Sequence, residues 1–180
     1  MITYKKGNLL DSNCNVIVHQ VNCQGVMGSG IAKQIRDRWP EVFTRYQEYI
    51  DYFYNMGVAT RSRDYLGQMQ LVKVTDDRYV ANFFSQDKYL PRDICHTDYD
   101  AFRWCCKKLR NHIDDYGLQD GVIGFPYKIG CGLAGGDWSV ISNIIEEEFT
   151  NYNVEIWELS TLVNEHVRYK DTIKGEELER

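Results

Sequence analysis

The sequence predicts a three-layer α/β/α sandwich built on a central mixed, largely parallel sheet. Three observations carry that expectation. Strand-like apolar runs alternate with segments of helical period along most of the chain, the pattern of helices packed over a parallel sheet. Two of the strands run straight into glycine-rich loops that open helices, and sheets of this kind bind ligands at the carboxyl ends of their strands. A chain of 180 residues, 43% apolar and 26% charged, suits one domain around one sizeable core.

Residues 2–5 read as a short first strand, closed by the turn Lys6-Gly7-Asn8. Val16 to Val21 is a buried strand, apolar on both faces until His19 and Gln20. Ser29 is placed to cap a helix that carries Ile31, Ile35 and Trp39 on one face, and Pro40 permits a second helix through EVFTRYQEYIDYF. Met69 to Val74 and Arg78 to Phe84 form two strands joined by the turn-forming Thr75-Asp76-Asp77. Thr97 and Asp98 offer caps for a helix through Tyr99, Phe102, Cys106 and Leu109. A short strand at 121–125, a helix at 138–149 and a strand at 154–159 complete the body. The expected organisation is one domain over 1–160, followed by a charged tail over 161–180 that forms a frayed helix or docks on a protein partner.

Composition excludes several classes of function. No run approaches the ~20 apolar residues of a membrane span, and the start MITYKKGNLL lacks the apolar stretch of a signal peptide, so a cytoplasmic location with no membrane partner is expected. The cysteines at 14, 23, 95, 105, 106 and 131 form no Cys-x-x-Cys pair, and the histidines at 19, 96, 112 and 166 match no zinc spacing. Reduced thiols, no metal and no cofactor are the expectation. A net charge of −5 argues against broad nucleic-acid binding, yet one helix N-terminus supplies enough local positive potential for a small phosphorylated ligand.

The two glycine junctions carry the chemistry. The first is HQVNCQGVMGSGIA, residues 19–32, and the second is FPYKIGCGLAGGDW, residues 125–138. Glycine lets the backbone approach a ligand without Cβ interference, and successive N–H groups in such loops form anion-binding concavities. Two of them in one domain suit a diphosphate held from both sides. Neither is a P-loop or a dinucleotide fingerprint: the second lacks the Lys-Ser ending, and Ile31, Ala32 and Lys33 follow Gly30 in the first.

Taken in chain order, KGNLL, VIVHQVN, GVMGSGIA, RYVANFFSQ, PYKIGCGLAGGDW and VEIWEL resemble the macro domains, which bind ADP-ribose. The resemblance spans roughly residues 1–159, and I-G-C-G-L followed by a tryptophan and an acidic helix looks most like the branch of ADP-ribose-1″-phosphate phosphatases and terminal ADP-ribose glycohydrolases. It implies that Asn8 holds the adenine amino group with help from the Leu9 N–H, and that Asn22 reaches the distal ribose; Gln20, on the same strand face as Asn22, is a further ligand-binding candidate. Gly28, Ser29, Gly30 and Ile31 would line the first phosphate loop, and Lys128, Ile129, Gly130, Cys131, Gly132, Leu133 and Ala134 the second. Ser85 and Gln86 would stand at the mouth of the distal-ribose pocket. Two departures qualify the likeness: Gln86 stands where the glycohydrolase branch has a catalytic lysine, and Ala134 where it has a catalytic aspartate. Glutamine offers no nucleophilic amine and alanine no base.

Asn22 and His19 are the remaining candidates for catalytic roles. His19 titrates near neutrality and could donate a proton or position water, but strand alternation puts it on the face of Val21, opposite Gln20 and Asn22, which favours a core histidine. Asp137 fits a helix cap better than a base, Cys131 a small residue among glycines better than a nucleophile, and Trp138 a core anchor better than a platform. Phe84 and Tyr127 fit packing as well as ligand contact. Lys33, Arg36 and Arg38 read as a solvated helix face. The expected function is binding of ADP-ribose or a derivative, with hydrolysis of ADP-ribose 1″-phosphate by a positioned water as the expected reaction. The alternatives are a non-catalytic reader of ADP-ribose-like nucleotides and an ADP-ribosyl hydrolase with other chemistry.

Overall fold

A computed structural model describes residues 1–91 and 94–160; the tail expected over 161–180 lies outside the described residues. Six strands, β1 (Ile2–Lys6), β2 (Val16–Asn22), β3 (Met69–Lys73), β4 (Tyr79–Gln86), β5 (Val122–Pro126) and β6 (Asn153–Glu158), form one sheet in the order β1-β6-β5-β2-β4-β3. Every neighbouring pair is parallel except the edge hairpin β3–β4. The carboxyl ends of β2, β4 and β5 therefore open together at one edge of the sandwich, where a ligand can meet all three.

Four helices cover the sheet: α1 (Gly30–Arg38) and α2 (Pro40–Asn55) on one face, α3 (Tyr99–Asp115) and α4 (Trp138–Glu148) on the other. Strand alternation sorts the side chains. Ile17, Val21, Val80 and Phe84 pack with Ile35, Val42 and Tyr46 of α1 and α2, while Val16, Val18, Ala81 and Phe83 pack with Phe102, Leu109, Ile141 and Ile145 of α3 and α4. The caps follow the short polar residues. Asp98 accepts from the Ala101 N–H at 2.9 Å, and Asp137 accepts from the Ser139 N–H at 2.8 Å, which makes Asp137 a cap as its position predicts. Phe84 is fully buried against Tyr46, Tyr49 and Tyr65 and is packing, not a ligand contact. Lys33 and Arg36 reach Asp37, and Arg38 reaches Asp11, the exposed ion pairs of a solvated helix face.

A polar ladder crosses the apolar layer beneath α2. His19 Nε2 meets Asn82 Oδ1 at 2.5 Å, Asn82 Nδ2 donates to Gln70 Oε1 at 2.9 Å, and Gln70 Nε2 donates to the Arg45 carbonyl at 2.8 Å. Because the Asn82 amide nitrogen is already a donor, its oxygen must accept, so the His19 proton sits on Nε2. Its Nδ1 is then a bare acceptor, buried with no hydrogen-bond partner among the described residues. Burial lowers the His19 pKa from 6.5 to about 4, only partly opposed by the Asn82 bond. His19 is thus a neutral core residue that fixes the β2–β4 register.

Two predictions follow from this packing. The unfolded chain protonates His19 near 6.5 and the folded chain only near 4, so unfolding takes up a proton between those values and stability falls as pH drops through that window. The loss attributable to this site is about 3 kcal/mol, accumulating from about pH 6.5 and complete only below about pH 4; urea melts between pH 7 and 4 should show most of it, with a shallower slope in His19→Gln. At Gly124, an added Cβ would lie 2.5 Å from Leu9 and 2.7 Å from the Cys14 sulfur. Gly124→Ala should therefore cost about 2 kcal/mol by overpacking, read as a lower midpoint in the same melts.

Candidate nucleotide-diphosphate cleft

A cleft of about 500 Å³ opens at the carboxyl ends of β2, β4 and β5, walled by the two glycine loops. The first loop begins where the β2–β4 register shifts at Asn22. The Asn22 carboxamide folds back on its own loop: Oδ1 accepts from the Gln24 and Val26 N–H groups at 2.9 and 3.3 Å, and Nδ2 donates to the Val26 carbonyl at 2.6 Å. The Tyr46 hydroxyl donates to the Asn22 carbonyl from below. This asparagine builds the turn and keeps one amide hydrogen for whatever enters the cleft.

Ser29 occupies the N-cap of α1, but its side chain makes no capping bond, contrary to the expectation of a hydroxyl cap. The first helical bond runs from the Lys33 N–H to the Ser29 carbonyl, and the N–H groups of Gly30, Ile31 and Ala32 have no acceptor among the described residues. An uncapped helix start facing a cleft is an anion site. Across the cleft, Cys131 N–H is taken by Lys128 O, Gly135 N–H by Gly132 O and Gly136 N–H by Gly130 O, whereas the consecutive N–H groups of Gly132, Leu133 and Ala134 have no acceptor among the described residues. Lys128 takes φ +58° without being glycine, and its ammonium lies 5.4 Å from the Tyr127 ring centroid. Lys128 is the one charged side chain among the described residues lining the cleft. Two opposed sets of backbone donors with one adjacent cation form a cradle for two linked phosphates.

The cleft brings together Gln20, Asn22, Gly28, Ser29, Gly30, Ile31, Gln86, Lys128, Ile129, Gly130, Gly132, Leu133 and Ala134, as the resemblance implies. The other candidates lie elsewhere. Asn8 caps the short turn at Leu9–Asp11, its Oδ1 taken by the Leu10 N–H at 3.1 Å, and Leu9 is buried against β5. His19 belongs to the ladder under α2. Ser85 is fully buried and donates to Gln20 Oε1 at 3.1 Å, so it supports the cleft from beneath. Cys131 points its sulfur at the Ile129 carbonyl, and burial, then the Asp137 carboxylate, push its thiol up to about 11. That thiol is protonated at neutral pH and no nucleophile. Sequence reading missed Tyr89, which follows β4 outside both glycine junctions, and did not single out Val21, Val26, Ala32 or Pro126 in the lining. Trp138 meets Tyr127 edge-on at 5.1 Å between centroids, an anchor beside the cleft. Among the described residues, no three His, Cys, Asp or Glu side chains gather closely enough to hold a metal ion.

The fold and the twin donor loops define an α/β sandwich with a cleft of open backbone donors at its strand ends, and the likenesses to known proteins narrow the class. The DNA ADP-ribosyl glycohydrolase of Mycobacterium tuberculosis is 52% identical over 153 residues, covering 83% of this chain and 39% of that protein. The chain thus spans well under half the length of that relative. The ADP-ribose 1″-phosphate phosphatase of Scheffersomyces stipitis is 24% identical over 174 residues, covering 87% of this chain and 99% of that one. The solved macrodomain of Mycobacterium tuberculosis DarG superposes with a TM-score of 0.70 at 26% identity, over 87% of this chain and 97% of that one. No family model matches the sequence. The chain belongs to the macro domain family.

Gly130 is the tightest point of the cradle: φ is +73°, and an added Cβ would stand 2.6 Å from Gln20 Oε1 and 3.1 Å from Thr97 Oγ1. Gly130→Ala should cost about 2 kcal/mol through backbone strain and overpacking. The check is a denaturation midpoint compared with Gly132→Ala, whose added methyl meets nothing within 4 Å.

Proposed function

We propose that the chain binds ADP-ribose, with its diphosphate between the two loops, and hydrolyses the linkage that a substituent makes to the 1″ position of the distal ribose, at the anomeric carbon or at a 1″-phosphate phosphorus. The carrying observation is the pair of opposed, acceptor-free N–H triplets, Gly30–Ala32 and Gly132–Ala134, across one cleft. Asn22 and Gln86, at the ends of β2 and β4, would border the distal ribose, and Asn22 has one amide hydrogen left to direct it. Neither Gln86 nor Ala134 supplies an amine or carboxylate, so water is the nucleophile: its oxygen bonds to the carbon or phosphorus attacked, the leaving oxygen or nitrogen takes the electron pair, and the water proton passes to the departing group. Positioning and fixed backbone dipoles supply the acceleration.

ADP-ribose 1″-phosphate is the first candidate substrate, and the likeness to the Scheffersomyces phosphatase supports it. A second reading, removal of ADP-ribose from DNA, is favoured by the higher identity to the mycobacterial glycohydrolase. The deciding experiment offers the purified protein ADP-ribose, ADP-ribose 1″-phosphate and an ADP-ribosylated oligonucleotide, with calorimetry and product analysis on each. Release of phosphate supports the first substrate, and release of ADP-ribose from the oligonucleotide the second. Binding without turnover leaves a reader of ADP-ribose, and no binding at all defeats the proposal. Asn22→Ala should lower turnover of the accepted substrate by roughly a hundredfold, because the first loop loses its internal brace as well as its ligand contact.

A further inference from the structure

Thr97 lies outside both glycine loops and reaches the second of them from three directions. Its hydroxyl donates to the Gly130 carbonyl at 2.8 Å. Its backbone N–H points at the Ala134 carbonyl at 3.2 Å, beside the His96 N–H at 2.8 Å. Its methyl and Cβ stand so close to Gly136 that an added Cβ there would meet both at 3.2 Å. The loop's own closing bond, from the Gly136 N–H to the Gly130 carbonyl, shares its acceptor with the Thr97 hydroxyl. Thr97 thus grips both ends of the span Gly130–Ala134 whose middle N–H groups face the cleft.

The same hydroxyl is tied back to the sheet. Gln20 Nε2 donates to Thr97 Oγ1 at 3.1 Å and to Gln86 Oε1 at 3.2 Å, while Gln20 Oε1 accepts from Ser85. Thr97 also forms an isolated antiparallel bridge with Gln86, and the Asp98 N–H donates to the Ser85 carbonyl at 2.8 Å. The donor roles fit at every step: the hydroxyl gives its proton to a carbonyl and accepts from an amide, and Gln20 uses both ends of its carboxamide. Thr97 is 7% exposed, so these bonds operate away from bulk water, where a satisfied network is stiff and a broken one costly.

We infer that Thr97 is a positioning residue for ligand binding, which sets the second donor loop against β2 and β4 through Gln20 and holds its open N–H groups in register with those of the first loop. The inference rests on the ADP-ribose reading for its ligand, but the loop geometry it describes exists without one. Thr97 does not itself line the cleft and acts through Gly130, Ala134 and Gln20, which do.

The test compares Thr97→Val, which keeps the shape and loses the hydroxyl, with Thr97→Ser, which keeps the hydroxyl. Thr97→Val should bind ADP-ribose about five- to tenfold more weakly, the equivalent of one buried hydrogen bond, and Thr97→Ser should recover most of that affinity. The phosphorus resonances of bound ADP-ribose should move in Thr97→Val and return in Thr97→Ser, a signature that general destabilisation does not produce. In the ligand-free protein, the Gly136 amide should exchange faster in Thr97→Val, and circular dichroism confirms that the variant is folded. Unchanged affinity in Thr97→Val, with wild-type protein binding normally, overturns the inference. If wild-type protein binds no ADP-ribose, the functional reading fails instead, and Gly136 exchange alone decides: faster exchange supports the role of Thr97, and unchanged exchange overturns it.

Discussion

The carboxamide of Gln20 is the constraint around which the cleft is assembled. It sits where β2, β4 and the second glycine loop converge and bonds to Ser85, Gln86 and Thr97 at once. Its oxygen stands so close to residue 130 that only a glycine fits there. An apolar residue in its place would keep the strand but leave the hydroxyls of Ser85 and Thr97 short of a partner each. The sheet brings its strand ends together, and this one side chain converts that meeting into a fixed distance between loops.

Binding power in this cleft comes from backbone rather than from charged side chains. An acidic protein of net charge −5 presents two sets of open N–H groups and Lys128 to the same space. Fixed amide dipoles need no counter-charge and do not reorganise when a phosphate arrives, so the cleft can attract a dianion without making the surface basic. The missing cap at Ser29 belongs to the same logic: a hydroxyl that closed the start of α1 would occupy donors that the cleft leaves open.

Most of the scaffold was legible in the residues because local rules and tertiary demands agree. Pro40 starts α2, Asp98 and Asp137 cap α3 and α4, and the period-two pattern of β2 sorts correctly into two packed layers. The glycine loops were legible too, since φ > 0 at Gly30 and Gly130 favours glycine and leaves a visible mark in the sequence. The core role of His19 followed from strand alternation, but the roles of Asn22, Ser85 and Thr97 were not legible. Each is a polar residue whose partners are distant in sequence, and a polar side chain near a site reads equally well as contact or as brace until those partners are placed.

The sequence by itself determined the layered sheet, the two anion-holding loops and the absence of a lysine and an aspartate at positions 86 and 134. Those depend on spacing, on glycine and on residue identity, all of which are local. Only the tertiary structure decided which polar groups remain free to meet a ligand. Hydrogen-bond satisfaction is a property of the whole assembly: Ser85 is spent inside the protein, Ser29 leaves its helix start open, and Thr97, unremarkable in the chain, closes the cradle from behind.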